Sequence, residues 1–361
     1  MKVAIVHDWL VGGGAERVVQ ALHEMYPDAP IYTSYCTDEW RKKLDGKVVT
    51  GWLQHWPFSK LRKFIPVLRI WWFTHLDFSG YDLVISSSGN GEAKGIRVPE
   101  DTTHICYCHS PTHFYWRHYD QYIKQPGFGI FNPPVRLALK ILVGPLRRWD
   151  LKASKRPDYY IANSTHIQAD IHTYYGRDSV VIHPPIDLKR FSLPEPDKRE
   201  GFIVAGRQVP QKKADLAIAA AKRLGVQLTV LGKGPEHKNL VAMRGPTITY
   251  IENVSDQEMP KYLARAEAFI FPSLDDFGIM PVEALAAGTP VIAYKAGGAL
   301  DYVVEGKTGV FFDEQDVPSL TKALRNFRDH KFNHDAIRAN AQEFSPEHFK
   351  QAISDFIKTI K

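Results

Sequence analysis

The sequence has little of what marks several classes of protein. Its 361 residues include three cysteines, Cys36, Cys106 and Cys108, so we expect no disulfide framework and favour a reducing compartment. The sequence contains no run of about 18 uncharged apolar residues, which argues against a membrane-spanning helix. The first residues read as a buried strand without the apolar stretch and cleavage site of a signal peptide, and this predicts a cytoplasmic protein.

The charge balance is also modest. Lys and Arg number 46 against 40 Asp and Glu, a net charge of +6. This excess is too weak to indicate nucleic acid as a partner, but it fits an anionic ligand or an anionic membrane surface. Any contact with a membrane would be peripheral, on the inner face of the cell membrane.

What the sequence does contain is a regular alternation of short apolar runs with longer helical patterns. That alternation predicts an α/β protein with parallel sheets covered by helices on both faces. The length predicts two domains. The predicted strands form two series, residues 2–6, 83–86, 104–108 and 159–162, and then 201–205, 227–231, 247–251, 268–271 and 290–293.

A polar, proline-containing stretch at residues 191–200 separates the two series and is typical of a linker. We therefore predict an N-terminal domain over residues 1–190 and a C-terminal domain over 191–344. Ser345 followed by Pro346 predicts the start of a helix over residues 345–361. We expect this helix to pack back on the N-terminal domain.

The segment after the strand at residues 268–271 carries the most specific pattern. Pro281 and Gly288 fit the start and stop of a short helix. The N–H groups near Gly278, Ile279 and Met280 would then face a cleft, where a helix N-terminus favours a phosphate.

Two carboxylates, Asp275 and Glu283, would flank this anion site and accept hydrogen bonds from sugar or ribose hydroxyls. Such an arrangement suits a nucleotide sugar. The alternative is a loop and a capped helix whose carboxylates are only solvated.

Together with Gly297-Gly298 and Thr308-Gly309, this segment resembles family four of the retaining glycosyltransferases. The resemblance implies the GT-B fold, in which two Rossmann-like domains face each other across a cleft. That family usually has two glutamates at this spacing, so Glu283 matches the second and Asp275 stands in place of the first.

A second match to the family is the basic segment at residues 206–215. In the family an Arg and a Lys five places later bind the donor diphosphate, which implies that role for Arg207 and Lys212; Lys213 is a weaker candidate. Two fixed cations would stabilise the negative charge that develops on a diphosphate leaving group. The alternative is a basic helix start exposed to solvent.

The N-terminal half offers two further candidates. Glycines such as Gly13 and Gly14 let a backbone approach a ligand closely, and the resemblance implies a loop here that closes over the donor phosphates; a tight turn is equally open. The resemblance also implies that His109 contacts the donor sugar, although a structural role for this histidine is an alternative. A zinc site of Cys106, Cys108, His109 and His113 is less favoured than packing of the two cysteines.

Segments such as Val6-His7-Asp8-Trp9-Leu10 also resemble a mannosyltransferase branch of bacterial surface polysaccharide assembly. We therefore expect a retaining, metal-independent transfer of a sugar, best taken as mannose, to a glycan or lipid-linked acceptor. The resemblance favours a GDP-sugar over a UDP-sugar and implies no cofactor and no metal. The alternatives are a nucleotide-sugar-binding subunit with weak or no catalysis and a sugar-nucleotide epimerase.

A basic and aromatic stretch at residues 57–73 predicts attachment to anionic lipid, with Lys60, Arg62, Lys63 and Arg69 meeting lipid phosphates. A second stretch, residues 136–148, could extend the same face. The alternative is that both stretches are ordinary helices packed on the N-terminal sheet.

Overall fold

A computed structural model describes residues 1–62, 65–117, 119–124, 129 and 132–360. These residues form two compact units. We call Met1–Pro184 with Ala352–Lys361 the N-terminal unit, and Pro185–Gln351 the C-terminal unit.

The N-terminal unit is built on a seven-stranded sheet. Its strands are β1 (Val3–His7), β2 (Ile31–Thr33), β3 (Val48–Thr50), β4 (Leu83–Ser88), β5 (Thr103–Cys108), β6 (Tyr159–Ala162) and β7 (Val180–Val181). They pair in parallel in the order β3-β2-β1-β4-β5-β6-β7. The central strands are buried along their whole length, as expected for a parallel sheet with helices on both faces.

The helices of this unit lie in the connections between the strands. They are α1 (Ala15–Met25), α2 (Asp38–Lys43), α3 (Phe58–Leu61), α4 (Pro66–Thr74), α5 (Tyr119–Lys124), α6 (Asn132–Ala153) and α7 (Thr165–Tyr175).

The C-terminal unit has a six-stranded sheet. Its strands are β8 (Phe202–Ala205), β9 (Leu228–Leu231), β10 (Ile248–Ile251), β11 (Ala268–Phe271), β12 (Val291–Tyr294) and β13 (Gly309–Phe312). All pairings are parallel, in the order β10-β9-β8-β11-β12-β13. The helices are α8 (Ala214–Leu224), α9 (His237–Ala242), α10 (Met259–Arg265), α11 (Ile279–Ala286), α12 (Val317–Phe327) and α13 (His334–Ala341), and a last helix, α14 (Pro346–Thr359), begins in this unit.

Every strand predicted from the sequence is confirmed, with small shifts at the ends. The strands that sequence reasoning missed are β2, β3, β7 and β13, of two to four residues each. Runs this short show no apolar period of their own, and the neighbouring strands determine their pairing.

The predicted C-terminal helix is also observed. Ser345 Oγ accepts a hydrogen bond of 3.2 Å from the N–H of His348, so Ser345 caps α14. The residues of α14 from Ala352 onward belong to the N-terminal unit, where Phe356 packs its ring 6.0 Å from that of Tyr159, centroid to centroid.

The start of α11 differs from the prediction. The helix begins at Ile279, and Pro281 lies inside its first turn rather than at its first position. Proline is tolerated there because the first-turn N–H groups have no partner within the helix. The helix ends, as expected, just before Gly288.

The structure corrects part of the membrane prediction. Arg69 is buried, and its guanidinium donates to Glu92 Oε1 through Nε at 3.1 Å and through Nη2 at 2.5 Å. It could meet a lipid phosphate only by losing this ion pair. Trp72 and Phe73 of the same helix are core residues. Pro66 begins α4 and separates it from α3, and Lys63 lies outside the described residues.

Other parts of these stretches are exposed. Leu61, Val67 and Trp71 present apolar surface in the first stretch, and Leu137 and Ile141 do so on α6. Among the described residues, none of the helices has the length and apolar character needed to cross a bilayer.

A buried polar cluster fixes the loop that follows β5. Asp150 accepts 2.8 Å hydrogen bonds from Thr112 Oγ1 and Trp116 Nε1, a 2.9 Å bond from the Tyr175 hydroxyl and a 2.5 Å bond from Lys94 Nζ. The side chains of Lys94 and Asp150 are 1% and 0% exposed. An ion pair this deeply buried depends on both partners, because either charge alone would be desolvated without compensation.

We predict that Asp150→Asn lowers the free energy of unfolding by about 3–5 kcal/mol, since it leaves the Lys94 ammonium buried without a counter-charge. Urea denaturation measures the loss. The control is Glu39→Gln, which breaks the exposed Lys43–Glu39 pair and should cost about 0.5 kcal/mol or less. Equal losses in the two variants would contradict the prediction.

Candidate functional site

Each sheet has one point at which the order of its strands reverses. In the N-terminal unit it lies between β1 and β4, and in the C-terminal unit between β8 and β11. Ligands of open α/β sheets bind beyond the carboxyl ends of the strands at such a point, because the two loops that leave there diverge and open a crevice.

At the reversal point of the C-terminal unit, two predicted site residues meet directly. Lys212 follows β8 and Asp275 follows β11, and Lys212 Nζ donates to Asp275 Oδ2 in an ion pair. The two side chains are 38% and 16% exposed. A lysine and a carboxylate that are 63 positions apart in the sequence therefore form a partly exposed ion pair at the edge where open α/β sheets generally bind their ligands.

Backbone contacts hold Asp275 in place. Its carbonyl accepts a 3.0 Å hydrogen bond from the N–H of Gly298. The loop after β11, which carries Asp275, and the loop after β12, which carries Gly298, are so close that a Cβ on Gly298 would lie 2.4 Å from Phe277 Cα. This approach requires a residue without a side chain, which gives the Gly297-Gly298 pair of the sequence a physical reason.

The loop that carries Arg207 is fixed by its neighbour. Gln208 is buried, its Nε2 donates to the Gly232 carbonyl at 2.7 Å, and its N–H donates to the Lys233 carbonyl at 3.0 Å. Arg207 itself is exposed, and no hydrogen bond or ion pair within the described part of the chain engages its guanidinium. A fixed loop thus presents an available cation at the carboxyl end of β8.

The N-terminus of α11 lies in the same C-terminal unit, directly after the Asp275 loop. Gly278 caps the helix with φ of 89°, and a Cβ there would lie 2.7 Å from both Phe271 Cζ and the Tyr302 hydroxyl oxygen. Ile279 and Met280 are half-buried and expose the first turn in part, whereas Glu283 is 2% exposed, one turn further along.

The phenol of Tyr302 is buried behind this helix start, and its hydroxyl has no hydrogen-bond partner among the described residues. Burial, with the nearby charges of Asp275 and Asp301, raises the pKa of Tyr302 well above its usual value. The hydroxyl therefore stays protonated and neutral.

In the N-terminal unit, the glycine loop follows β1 and leads into α1. Glu16 Oε1 accepts from the N–H groups of Val11 at 3.2 Å and Gly12 at 2.9 Å. Gly13 is exposed, and Gly14 is half-buried at the N-cap of α1. A carboxylate of the protein itself thus uses part of the loop's capacity to bind an anion.

His109 follows β5 and is the end of a short chain of hydrogen bonds. His7 Nδ1 contacts the Ser87 carbonyl at 2.9 Å and Ser87 Oγ at 3.1 Å, and Ser87 Oγ contacts His109 Nε2 at 2.8 Å. Because a carbonyl only accepts, His7 carries its proton on Nδ1. The chain fixes the plane of the His109 ring.

The electrostatic surroundings keep His109 neutral. Burial, and to a lesser extent His7, lowers the pKa of His109 to about 3. A neutral imidazole can donate or accept one hydrogen bond without introducing a charge. Such a ring suits contact with a hydroxyl better than contact with a phosphate.

The predicted site residues thus fall into two groups. Arg207, Lys212, Asp275 and the start of α11 lie in the C-terminal unit, and Lys212 and Asp275 are in direct contact. Gly13, Gly14 and His109 belong to the N-terminal unit. Glu283 also lies in the C-terminal unit, one turn into α11, and its side chain is buried.

Sequence reasoning missed several supporting residues. Asp8 Oδ2 accepts from the N–H groups of Gly89 at 2.8 Å and Asn90 at 2.7 Å, and its Oδ1 accepts from Ala93 at 2.8 Å. Ser87 and Gln208 were missed in the same way. Their position in the sequence was the available signal, since each of them lies within three residues after the end of a predicted strand.

Two of the three cysteines, Cys106 and Cys108, pack in the hydrophobic core. Cys106 and Cys108 lie in an apolar cluster with Tyr160, Ile167 and Ile171. Burial raises the pKa of the Cys108 thiol well above its usual value, so this sulfur is held as a neutral thiol within the core.

Comparison with known proteins gives each unit a family match. Residues 12–190 match the family described as Glycosyltransferase Family 4, and residues 185–344 match Glycosyl transferases group 1.

Two curated relatives match about half of this chain each. A D-inositol 3-phosphate glycosyltransferase of Nocardioides sp. is 27% identical over 59% of this chain and 52% of its own length. A GDP-mannose-dependent alpha-(1-6)-phosphatidylinositol monomannoside mannosyltransferase of Mycolicibacterium smegmatis is 29% identical over 42% of this chain and 47% of its own. The chain spans about half the length of these relatives.

Among solved structures, Anabaena HepE in complex with UDP aligns with a TM-score of 0.71 at 16% identity, over 99% of this chain and all of HepE. At this identity the likeness shows the fold. The fold is GT-B, as the family resemblance implied, with a Rossmann-like domain in each unit.

We predict that the His109 imidazole does not titrate between pH 5 and 8 in the folded protein, because burial disfavours its charged form. NMR of histidine-labelled protein measures this, with His109→Gln identifying the signal. In the unfolded protein the pKa of this ring returns to about 6.5. As the pH falls from about 6.5 toward 3, the unfolded state therefore binds a proton that the folded state does not, and the free energy of unfolding decreases. A midpoint near 6.5 in the folded state would contradict the prediction.

Proposed function

Both units of this chain match glycosyltransferase domains, and we propose that the protein is a retaining, metal-independent glycosyltransferase that uses a nucleoside diphosphate sugar. The observation that carries the proposal is the reversal point of the C-terminal unit, where Lys212 pairs with Asp275 and the sequence places Arg207 five residues earlier. Cations suit a diphosphate, and an adjacent carboxylate suits sugar hydroxyls.

In the proposed reaction, the bond between the anomeric carbon and the donor phosphate breaks, and a bond to the acceptor oxygen forms on the same face of the sugar. The acceptor's proton passes to the leaving phosphate, so no base is assigned. Arg207 and Lys212 stabilise the charge that grows on the diphosphate. Gly278, Ile279 and Met280 offer N–H groups to the same phosphates. Glu283 is assigned a role in binding the donor.

The residues of the N-terminal unit that we assign to donor binding come from the family resemblance. Gly13 and Gly14 are proposed to bind donor phosphate, and His109 the donor sugar. The neutral state of His109 supports contact with a sugar hydroxyl.

We propose mannose as the sugar and a GDP-sugar as the donor. The Mycolicibacterium smegmatis relative is named as GDP-mannose-dependent, whereas the Anabaena structure contains UDP. The direct test incubates the purified protein with GDP- and UDP-sugars, with and without lipid-linked acceptors and in EDTA, and follows nucleotide release. A glycosylated product would identify a transferase. An altered sugar on the donor would identify an epimerase, and donor binding without turnover would identify a binding subunit.

We predict that Arg207→Ala and Lys212→Ala each reduce turnover at least about tenfold, because each removes a cation that acts on the developing phosphate charge. Steady-state kinetics with the donor identified above measures the effect. The control is Lys322→Ala, which removes an exposed charge from α12. Near-normal turnover in both site variants would remove the diphosphate assignment.

We also propose that an anionic membrane is a partner, since a lipid-linked acceptor would lie there. The exposed residues that support this are Leu61, Trp71, Leu137 and Ile141, with exposed cations beside them such as Lys60 and Lys140. Arg69 takes no part because it is buried with Glu92.

We predict flotation of the protein with anionic but not neutral vesicles, weakened by salt because the attraction is screened. Lys60→Glu combined with Lys140→Glu should reduce binding further, whereas Arg69 is left unchanged to preserve the core. Protein that stays in the soluble fraction with anionic vesicles at low salt would contradict the membrane proposal.

A further inference from the structure

We propose that Asp275 makes the site discriminate between the intact nucleotide sugar and the bare nucleoside diphosphate left after transfer, and so favours release of that product. The inference rests on the proposed function and concerns the same site. It assigns to one carboxylate a role beyond contact with the sugar.

The first step is that the ligand-free site is internally neutralised. Lys212 Nζ donates to Asp275 Oδ2, and among the described residues no other side chain forms a hydrogen bond or ion pair with this lysine. A diphosphate that binds here therefore competes with a carboxylate of the protein for the Lys212 ammonium.

The second step is that the lysine moves and the aspartate stays. The Gly298 N–H donates to the Asp275 carbonyl at 3.0 Å, and Gly298 packs closely against the backbone of Phe277, so the backbone of the Asp275 loop is held and its side chain is 16% exposed. Lys212 is 38% exposed and carries its charge on a flexible four-carbon stem. Binding of a phosphate would therefore draw Lys212 away and leave Asp275 where it is.

The third step compares the two ligands. An intact donor places sugar hydroxyls at the phosphate end, and these donate hydrogen bonds that replace the lost ammonium on Asp275. A bare diphosphate brings no such donors, and its free terminal phosphate carries additional negative charge near a carboxylate that has lost its cation. The neutral Tyr302 phenol nearby supplies no replacement charge.

The consequence is a difference in affinity of defined sign. Asp275 opposes the bare nucleoside diphosphate more strongly than it opposes the nucleotide sugar. If its charge is removed, the product should bind more tightly while the donor gains little or loses affinity. The ratio of the two affinities, rather than either one alone, reports the role.

The experiment is calorimetric titration without acceptor, using GDP, UDP, GDP-mannose and UDP-glucose, on wild type and Asp275→Asn. We expect Asp275→Asn to bind the bare diphosphate about three- to tenfold more tightly and the matching nucleotide sugar no more tightly than wild type. Asp276→Asn, which removes the same charge one residue away, is the matched control and should leave the ratio unchanged.

The outcomes separate the two ideas. If a nucleoside diphosphate binds but its affinity relative to the sugar nucleotide is the same in Asp275→Asn and wild type, or changes equally in Asp276→Asn, the discrimination role is wrong and the proposed function stands. If neither GDP nor UDP nor their sugars bind wild type, the proposed function fails and the inference fails with it.

Discussion

In both sheets, parallel pairing requires successive strands to end at the same edge, and the reversal of strand order opens a crevice at that edge. The rest of the site depends on this constraint. It brings the loop after β8 against the loop after β11, and so joins Lys212 to Asp275 across 63 positions of sequence. In the N-terminal unit it brings the end of β1 beside the end of β4, where Asp8 accepts hydrogen bonds from three backbone N–H groups. No local preference of either segment could produce these contacts.

The two units use opposite electrostatic arrangements at these edges. In the C-terminal unit the charges are partly exposed and mutually compensated, with Lys212 on Asp275 and Arg207 open to solvent. Partly exposed pairs contribute little stability, which suits the proposed binding and release of an anion at this site. In the N-terminal unit, burial and to a lesser extent His7 lower the pKa of His109 and keep its ring neutral, while Ser87 orients the ring by a hydrogen bond. A neutral, oriented ring suits a hydroxyl.

Hydrogen bonds between neighbouring loops hold the segments that carry the candidate site residues. Gln208 ties the Arg207 loop to the loop after β9, and Gly298 ties the Asp275 loop to the loop after β12. In the N-terminal unit, Asp150 holds the loop after β5 through hydrogen bonds from the side chains of Thr112 and Trp116. Fixed loops with a few mobile side chains keep the geometry of a site while its charges change partners. The role proposed for Asp275 depends on this contrast between an aspartate whose backbone is held and a lysine on a long flexible stem.

The sequence by itself determined the features that depend on neighbouring residues. Strand positions followed from apolar runs, the start of α14 from the capping Ser345, and the end of α11 from Gly288. The residue types of the site also followed from local motifs. Only the tertiary structure decided which charges are available. Arg69 looks like a surface cation in its basic stretch but is buried on Glu92, because α4 packs that face inward. The Lys212–Asp275 pair and the His7–Ser87–His109 chain likewise join residues from different strand ends. Sheet order sets such contacts, and sheet order is fixed by long-range pairing and burial that no short stretch of sequence encodes.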